Sequence, residues 1–242
     1  MLNRPIANIL YIVILLTLSK ISVAASPLPF SAYYDARFQG FKADAEISLI
    51  QINDFEYLAN STIKVRLFGA AVSTIRESSQ FNWKDDTPQP YQYEYKQSGL
   101  GGRSLSVAFD WVNNFAIATV ENESVELQLE GNTLDELSMY TFIKQELNKG
   151  NNEIIFSVVN RDVVEEYRYE TIGEEEVVTE AGIFSAIKVQ RIRENSGRLT
   201  ELWFAKNHDM LLVKLFQRDP DGDEFEITLS FAQLNGEVVK PN

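Results

Sequence analysis

The sequence predicts a mainly β protein: one large antiparallel sheet that curls over itself, accompanied by one amphipathic helix. Three observations carry this. Apolar and polar residues alternate with a period of two over most of the chain after Pro29. A single stretch, 134–147, instead spaces its apolar residues three and four apart, as one helical face requires. The third is stoichiometric. About a dozen strands each offer an apolar row, and one helix roughly 21 Å long cannot cover them all. The sheet must shield itself, as a barrel, a half-barrel closed by the helix, or two packed layers.

The 242 residues are 45% apolar and 24% charged and contain no Cys, a globular composition that excludes disorder and a disulfide scaffold. The first element is not part of the fold. Arg4 precedes an apolar run from Ile9 to Leu18, followed by small residues at Ser22, Ala24 and Ala25. Residues 1–25 therefore read as a secretory signal peptide cleaved after Ala24 or Ala25, because such a run reaches only about half of a hydrocarbon core. Without a Cys at that point there is no thiol to acylate, so the expected product is a soluble periplasmic protein. From Pro29 onward no linker, repeat or low-complexity tract interrupts the chain, and 26–242 reads as a single all-β domain.

The strands follow in order. Segments near 31–38, 43–52, 55–67 and 72–83 alternate, and Tyr91, Tyr93 and Tyr95 alternate with Gln92, Glu94 and Lys96. Leu105, Val107, Phe109 and Trp111 form the next row, then 115–120, then Val125, Leu127 and Leu129. The helix near 134–148 carries Leu137, Met139, Tyr140, Ile143 and Leu147 on one face, with Asp135 and Glu136 at its start and Lys149–Gly150 at its end. Strands resume at 153–159, 163–170, 183–193, 199–205 and 211–218. The last hairpin is the clearest: Asp219-Pro220-Asp221-Gly222-Asp223 separates two alternating runs, the second carrying Phe225, Ile227, Leu229 and Phe231.

Several short motifs lie in a recognisable order: Pro29-Phe30 with Tyr33-Tyr34, Pro90-Tyr91 with Tyr93, and Phe109-Asp110-Trp111. Asp135-Glu136-Leu137-Ser138, Gly173-Glu174-Glu175 with Thr179 and Gly182, Lys188-Val189-Gln190-Arg191 and Leu202-Trp203-Phe204-Ala205 continue the series. Over nearly the whole mature chain this resembles the bacterial exported proteins of domain of unknown function 3108. Leu212 stands where such proteins commonly have Pro, a local departure. The resemblance implies a cell-envelope protein of Gram-negative bacteria and carries no catalytic residue, substrate or cofactor. With the strand count, it favours a lipocalin-like or lipoprotein-carrier-like architecture.

Charge and residue inventory narrow the chemistry. The net charge is −13, and loss of Arg4 and Lys20 with the leader lowers it by two to −15. A polyanion disfavours nucleic acid and strong binding to anionic membranes. His208 is the only histidine and reads as a solvated turn residue, so triads and two-His metal sites lack their parts. Asp219, Asp221 and Asp223 imitate the start of a calcium loop, but Gly222 is misplaced and Ser230 stands where a bidentate Glu is needed. Glu174, Glu175 and Glu176 read as an exposed turn or edge that discourages strand pairing. No catalytic, cofactor or metal residues are assigned.

Arg191 and Arg193 continue the dry row of Ile183, Ile187 and Val189, with Glu165 as a plausible partner. Either a bulge or strand end carries them to water, or they form an internal ion-paired or anion site. Tyr91, Tyr93, Tyr95, Phe109, Trp111, Tyr167, Tyr169 and Trp203 make the interior aromatic, as core or, together with Arg191, as the lining of a ligand pocket. The expected function is non-enzymatic binding of an apolar or amphipathic envelope molecule. An envelope assembly partner without a small ligand and a glycan hydrolase built on clustered acids are the alternatives.

Overall fold

Residues 26–38, 40–194 and 196–241 are described in the computed structural model; the expected signal peptide, 1–25, lies outside them. The alternating segments form sixteen strands among the described residues. The N-terminal set is β1 (Phe30–Phe38), β2 (Phe41–Gln51), β3 (Glu56–Leu67), β4 (Ala70–Lys84), β5 (Thr87–Gly99), β6 (Arg103–Asp110), β7 (Phe115–Val120), β8 (Glu123–Gln128) and β9 (Thr133–Leu134). Helix α1 (Ser138–Asn148) follows. The C-terminal set is β10 (Glu153–Asn160), β11 (Val163–Thr179), β12 (Gly182–Ile192), β13 (Leu199–Ala205), β14 (Leu211–Arg218), β15 (Glu224–Leu234) and β16 (Glu237–Val238).

All strands belong to one sheet, ordered β8-β7-β6-β5-β4-β3-β2-β1-β15-β14-β13-β12-β11-β10-β9, with β16 on β15. It is two antiparallel meanders, β1–β8 and β10–β15, joined by the long-range seam of Phe30–Phe38 against Phe225–Leu234, with β9 added parallel to β10 at one end. The sheet curls without closing: β8 and β9 are its two ends. Helix α1 lies in the concavity against β5 and β10, with Met139, Ile143 and Leu147 buried and Phe142 edge-on to Phe156. Two apolar clusters fill the interior. One joins α1 to β1, β2 and β10 through β15, and the other lies within β2 through β8 beneath Leu129, Leu137 and Val159.

Helix α1 begins four residues later than expected, because Leu134 pairs in β9 with Val158 of β10. The cause is Asp135. Its Oδ1 accepts from the backbone N–H of Leu137 and Ser138 at 2.9 and 2.7 Å, filling the orphan donors of the first turn. Lys144 falls on the buried face of the helix and is held by Asp209 at 2.5 Å. Strand β11 runs nine residues past its expected end, carried by a bulge at Ile172–Gly173 opposite Lys188. Along β12 the fully buried residues change from the odd-numbered Val189 to the even-numbered Ala186 and Phe184, and Ile183 is exposed. His208 does lie in the β13–β14 turn, but half-buried rather than free in solvent: its ring packs edge-on against Phe184 and Nε2 lies 2.7 Å from the Lys240 carbonyl oxygen. Glu174, Glu175 and Glu176 do lie on an edge, where β11 has outrun β10 and pairs only with β12.

Candidate functional site

Alternation alone would make the concave face wholly apolar, and two features depart from that. The first is a polar belt between the two apolar clusters. On β4 the inward row Ile75, Glu77, Ser79, Phe81 includes an acid, and on β5 Tyr93 stands opposite Ser79. The Tyr93 hydroxyl donates to Glu77 Oε1 at 2.8 Å, and the Ser79 hydroxyl donates to Asp135 Oδ2 at 2.6 Å. From the other meander, the Tyr167 hydroxyl donates to Glu136 Oε1 at 2.6 Å. Arg191 lies 3.1 Å over the Tyr167 ring and 3.6 Å from Glu165, and its Nε has no hydrogen-bond partner among the described residues.

Three carboxyl groups thus meet near the start of α1. Burial lifts Glu77 to about 7, against the pull of the Tyr93 hydroxyl. Asp135 and Glu136 are also raised by burial, offset for Asp135 by Ser79 and the helix N–H groups and for Glu136 by Tyr167 and Arg191. A cavity of about 400 Å³ opens on this belt, lined by Glu77, Tyr93, Tyr95, Glu136 and Tyr140 with Arg103 and Arg161. Chemically it is a hydrogen-bonding lining of tyrosines, two acids and two arginines set in an apolar shell. No group of three His, Cys, Asp or Glu arranged to hold a metal ion occurs among the described residues.

The second feature is a larger, apolar cavity of about 630 Å³ at the open end of the curled sheet. Phe38 and Phe41 of the first hairpin, Ile63, Val65, Leu67, Val72 and Ile75 of the second, Leu100 after β5, and Phe225 of β15 surround it. The hairpin ends are tied to each other. Leu100 N–H donates to the Val72 carbonyl at 3.1 Å, and Gln97 Nε2 donates to the Leu100 carbonyl at 2.8 Å. Gly99 makes this approach possible: at φ +86° a Cβ would collide with that same Val72 carbonyl.

The residues expected to line a pocket separate into four groups. Tyr93 and Tyr95 line the polar cavity; the Tyr95 hydroxyl donates to Gln97 and accepts from Arg103. Arg191, Tyr167 and Tyr169 face the interior together, the two tyrosines packed with Phe156 as core. Phe109 and Trp111 stack on each other in the second apolar cluster, the Trp111 indole donating to the Pro90 carbonyl at 2.6 Å. Tyr91 and Trp203 leave the inner row, although Trp203 stays buried as a member of the larger apolar cluster. Tyr91 is the extra residue of a bulge opposite Gln80–Phe81 and donates to Glu56 at 2.5 Å. Trp203 pairs in register with Lys188 and Lys214, on the face opposite Leu202 and Val189. Both ammonium groups lie over its ring, at 4.7 and 5.1 Å, and its indole N–H donates to Glu175.

The apolar cavity is built from residues that sequence reasoning did not single out, since each reads as an ordinary strand-end apolar residue. Glu77 did carry a signal: it is a charge in a dry row, the pattern that drew attention to Arg191.

A curled sheet of this order, holding one helix that begins at Asp135-Glu136-Leu137-Ser138, is what known sequences and structures can be compared with. A family described as "Protein of unknown function (DUF3108)" matches residues 30–230. The chain belongs to the DUF3108 family. No curated protein matches it. Among solved structures, this DUF3108 chain is similar to a beta-barrel-like protein of domain of unknown function DUF1849 from Brucella abortus. The TM-score is 0.58 at 8% identity, over 87% of this chain and 99% of that one. At that identity the likeness is one of fold, a β-barrel-like sheet.

Proposed function

We propose that this DUF3108 protein is exported to the periplasm through its first 25 residues and there holds an apolar or amphipathic molecule inside the curled sheet. One observation carries the binding half of this reading: the cavity of about 630 Å³ walled by Phe38, Ile63, Val65, Val72, Ile75 and Phe225, with its mouth at the hairpin ends. Ligand sites of about 300–1,000 Å³ are concave, mainly apolar and furnished with a few polar groups. Ser73, Gln97, Arg103 and Gln217 are the polar groups here. Export is supported by the arrangement of Arg4, the apolar run and the small residues at 22–25.

Native mass spectrometry of protein recovered from the periplasm, joined to titration with an apolar fluorescent dye, tests both halves. A copurifying small molecule and saturable dye uptake are the expected results. Val65→Trp, which projects an indole into the cavity, lowers dye affinity about tenfold or more with the melting temperature kept within a few degrees. Protein absent from the periplasmic fraction overturns export; protein that takes up no dye and carries no ligand overturns binding.

A further inference from the structure

The net charge of −13 is unevenly distributed. Segments 36–43, 57–76 and 95–109 contain no Asp or Glu. They fold as the β1–β2, β3–β4 and β5–β6 hairpins, whose ends stand side by side around the mouth of the apolar cavity. Arg37, Lys42, Lys64, Lys96 and Arg103 are all exposed on these hairpins, as is Arg66, which is ion-paired with Asp44 at 2.6 Å. Between the cations the tips carry apolar side chains left uncovered by the described residues: Phe68 is 101% exposed, Leu100 72% and Phe41 46%. Phe68 holds φ +50° at the very end of its hairpin, so its ring projects beyond the strands. The next turn round the mouth, Asp219 to Asp223, is acidic, so the rim has one cationic, apolar arc and one anionic side.

Large apolar side chains ringed by Lys and Arg at a protruding edge match the boundary of an anionic bilayer. Rings enter the headgroup layer while cations meet phosphates. Whole-chain charge gives the opposite expectation, but a surface responds to charges within about 10 Å at 0.1 M salt rather than to the total. We propose that these three hairpin tips dock on an anionic phospholipid surface, with Phe68 and Leu100 inserted and the acidic turn held away, so that the cavity opens at the bilayer. The docking stands on the rim alone and holds whether or not the cavity carries a ligand.

The chain has no Cys, so Phe68→Cys and Leu100→Cys each accept one environment-sensitive fluorophore in the otherwise unaltered protein. Val112→Cys is the control, 90% exposed in the β6–β7 turn at the opposite end of the sheet. The probe vesicles are two parts phosphatidylcholine to one part phosphatidylglycerol, against phosphatidylcholine alone. Expected are a blue shift at positions 68 and 100 and none at 112, about tenfold weaker binding to the neutral vesicles, and weakening by salt. Phe68→Asp with Lys42→Glu lowers affinity for the anionic vesicles at least about tenfold without lowering the melting temperature. A label at 112 that responds like 68 overturns the proposal, as do equal binding to both vesicle types and no response at 68 and 100. A shift at 68 that follows protein concentration without vesicles makes the occupant a second copy, and overturns it too.

Discussion

Glu77 shows how one acid in a dry row makes the fold sensitive to pH. Burial lifts its folded value to about 7, from an ordinary 4.5. Between those values the folded protein keeps a proton that the unfolded chain has released. Stability is therefore greatest below the unfolded value, falls as pH rises through the window, and levels off above about pH 7. Its size is at most about 2–3 kcal/mol, because half-burial lets water screen part of the penalty. Glu77→Gln keeps an acceptor for the Tyr93 hydroxyl and removes the titration. Urea denaturation from pH 4.5 to 7.5 should therefore give the variant a flatter stability profile, and a higher stability than the parent at the alkaline end. Asp135 and Glu136 are raised as well, so the difference between the two profiles is the quantity to read. Identical slopes would remove Glu77 from this account.

Helix α1 depends at its start on Asp135, a fully buried side chain. Its carboxylate accepts from two backbone N–H groups and from the Ser79 hydroxyl, so it caps the helix and ties it to β4 at once. Asp135→Ala leaves those donors unmade in an interior that water does not reach, at a cost of about 2–4 kcal/mol. Asp135→Asn keeps the Oδ1 acceptor and offers an N–H₂ to Ser79, whose hydroxyl accepts in turn, so most of the stability returns. Chemical denaturation of the two variants checks this; equal losses would mean that the charge matters and the cap does not. The periodicity of Leu137, Tyr140, Ile143 and Leu147 makes the helix legible in the sequence. Its first turn is not, because Leu134 suits that helical face as well as it suits β9, and only the parallel pairing with Val158 decides between them. Strand bulges at Tyr91 and at Ile172–Gly173 were invisible for a similar reason: a bulge adds one residue without changing composition. Trp203 is buried as its apolar character suggests, but under Lys188 and Lys214 rather than in the inner row, because alternation gives parity within a strand and parity across strands follows only from register.

At the scale of the molecule, the curl of the sheet followed from counting dry rows against one helix, while the way its ends meet did not. Phe30–Phe38 pairs with Phe225–Leu234 across most of the chain's length, and such a contact leaves no local pattern to read. That seam is nevertheless the only strand pairing among the described residues that joins β1–β8 to β10–β15, since β9 pairs with β10 alone. Both β1 and β15 have neighbours on each side, β2 and β14, and their inward residues Ala32, Tyr34, Ile227 and Leu229 are buried in the larger apolar cluster. The Tyr34 hydroxyl adds a bond of 2.9 Å to the Leu212 carbonyl. The ends of the sheet are built differently: β8 has β7 alone as a partner and exposes Glu123, Ser124, Glu126 and Gln128. Opening β8 therefore uncovers little apolar surface, whereas opening the seam uncovers the centre of the core. Amide hydrogen exchange should show β8 exchanging by local opening, about a hundredfold or more faster than β1 and β15, which should exchange only with global unfolding. If β1 and β15 instead exchange together with β8, or ahead of it, the two meanders part before either unfolds, and the mouth between their hairpin ends is a hinge rather than a fixed rim.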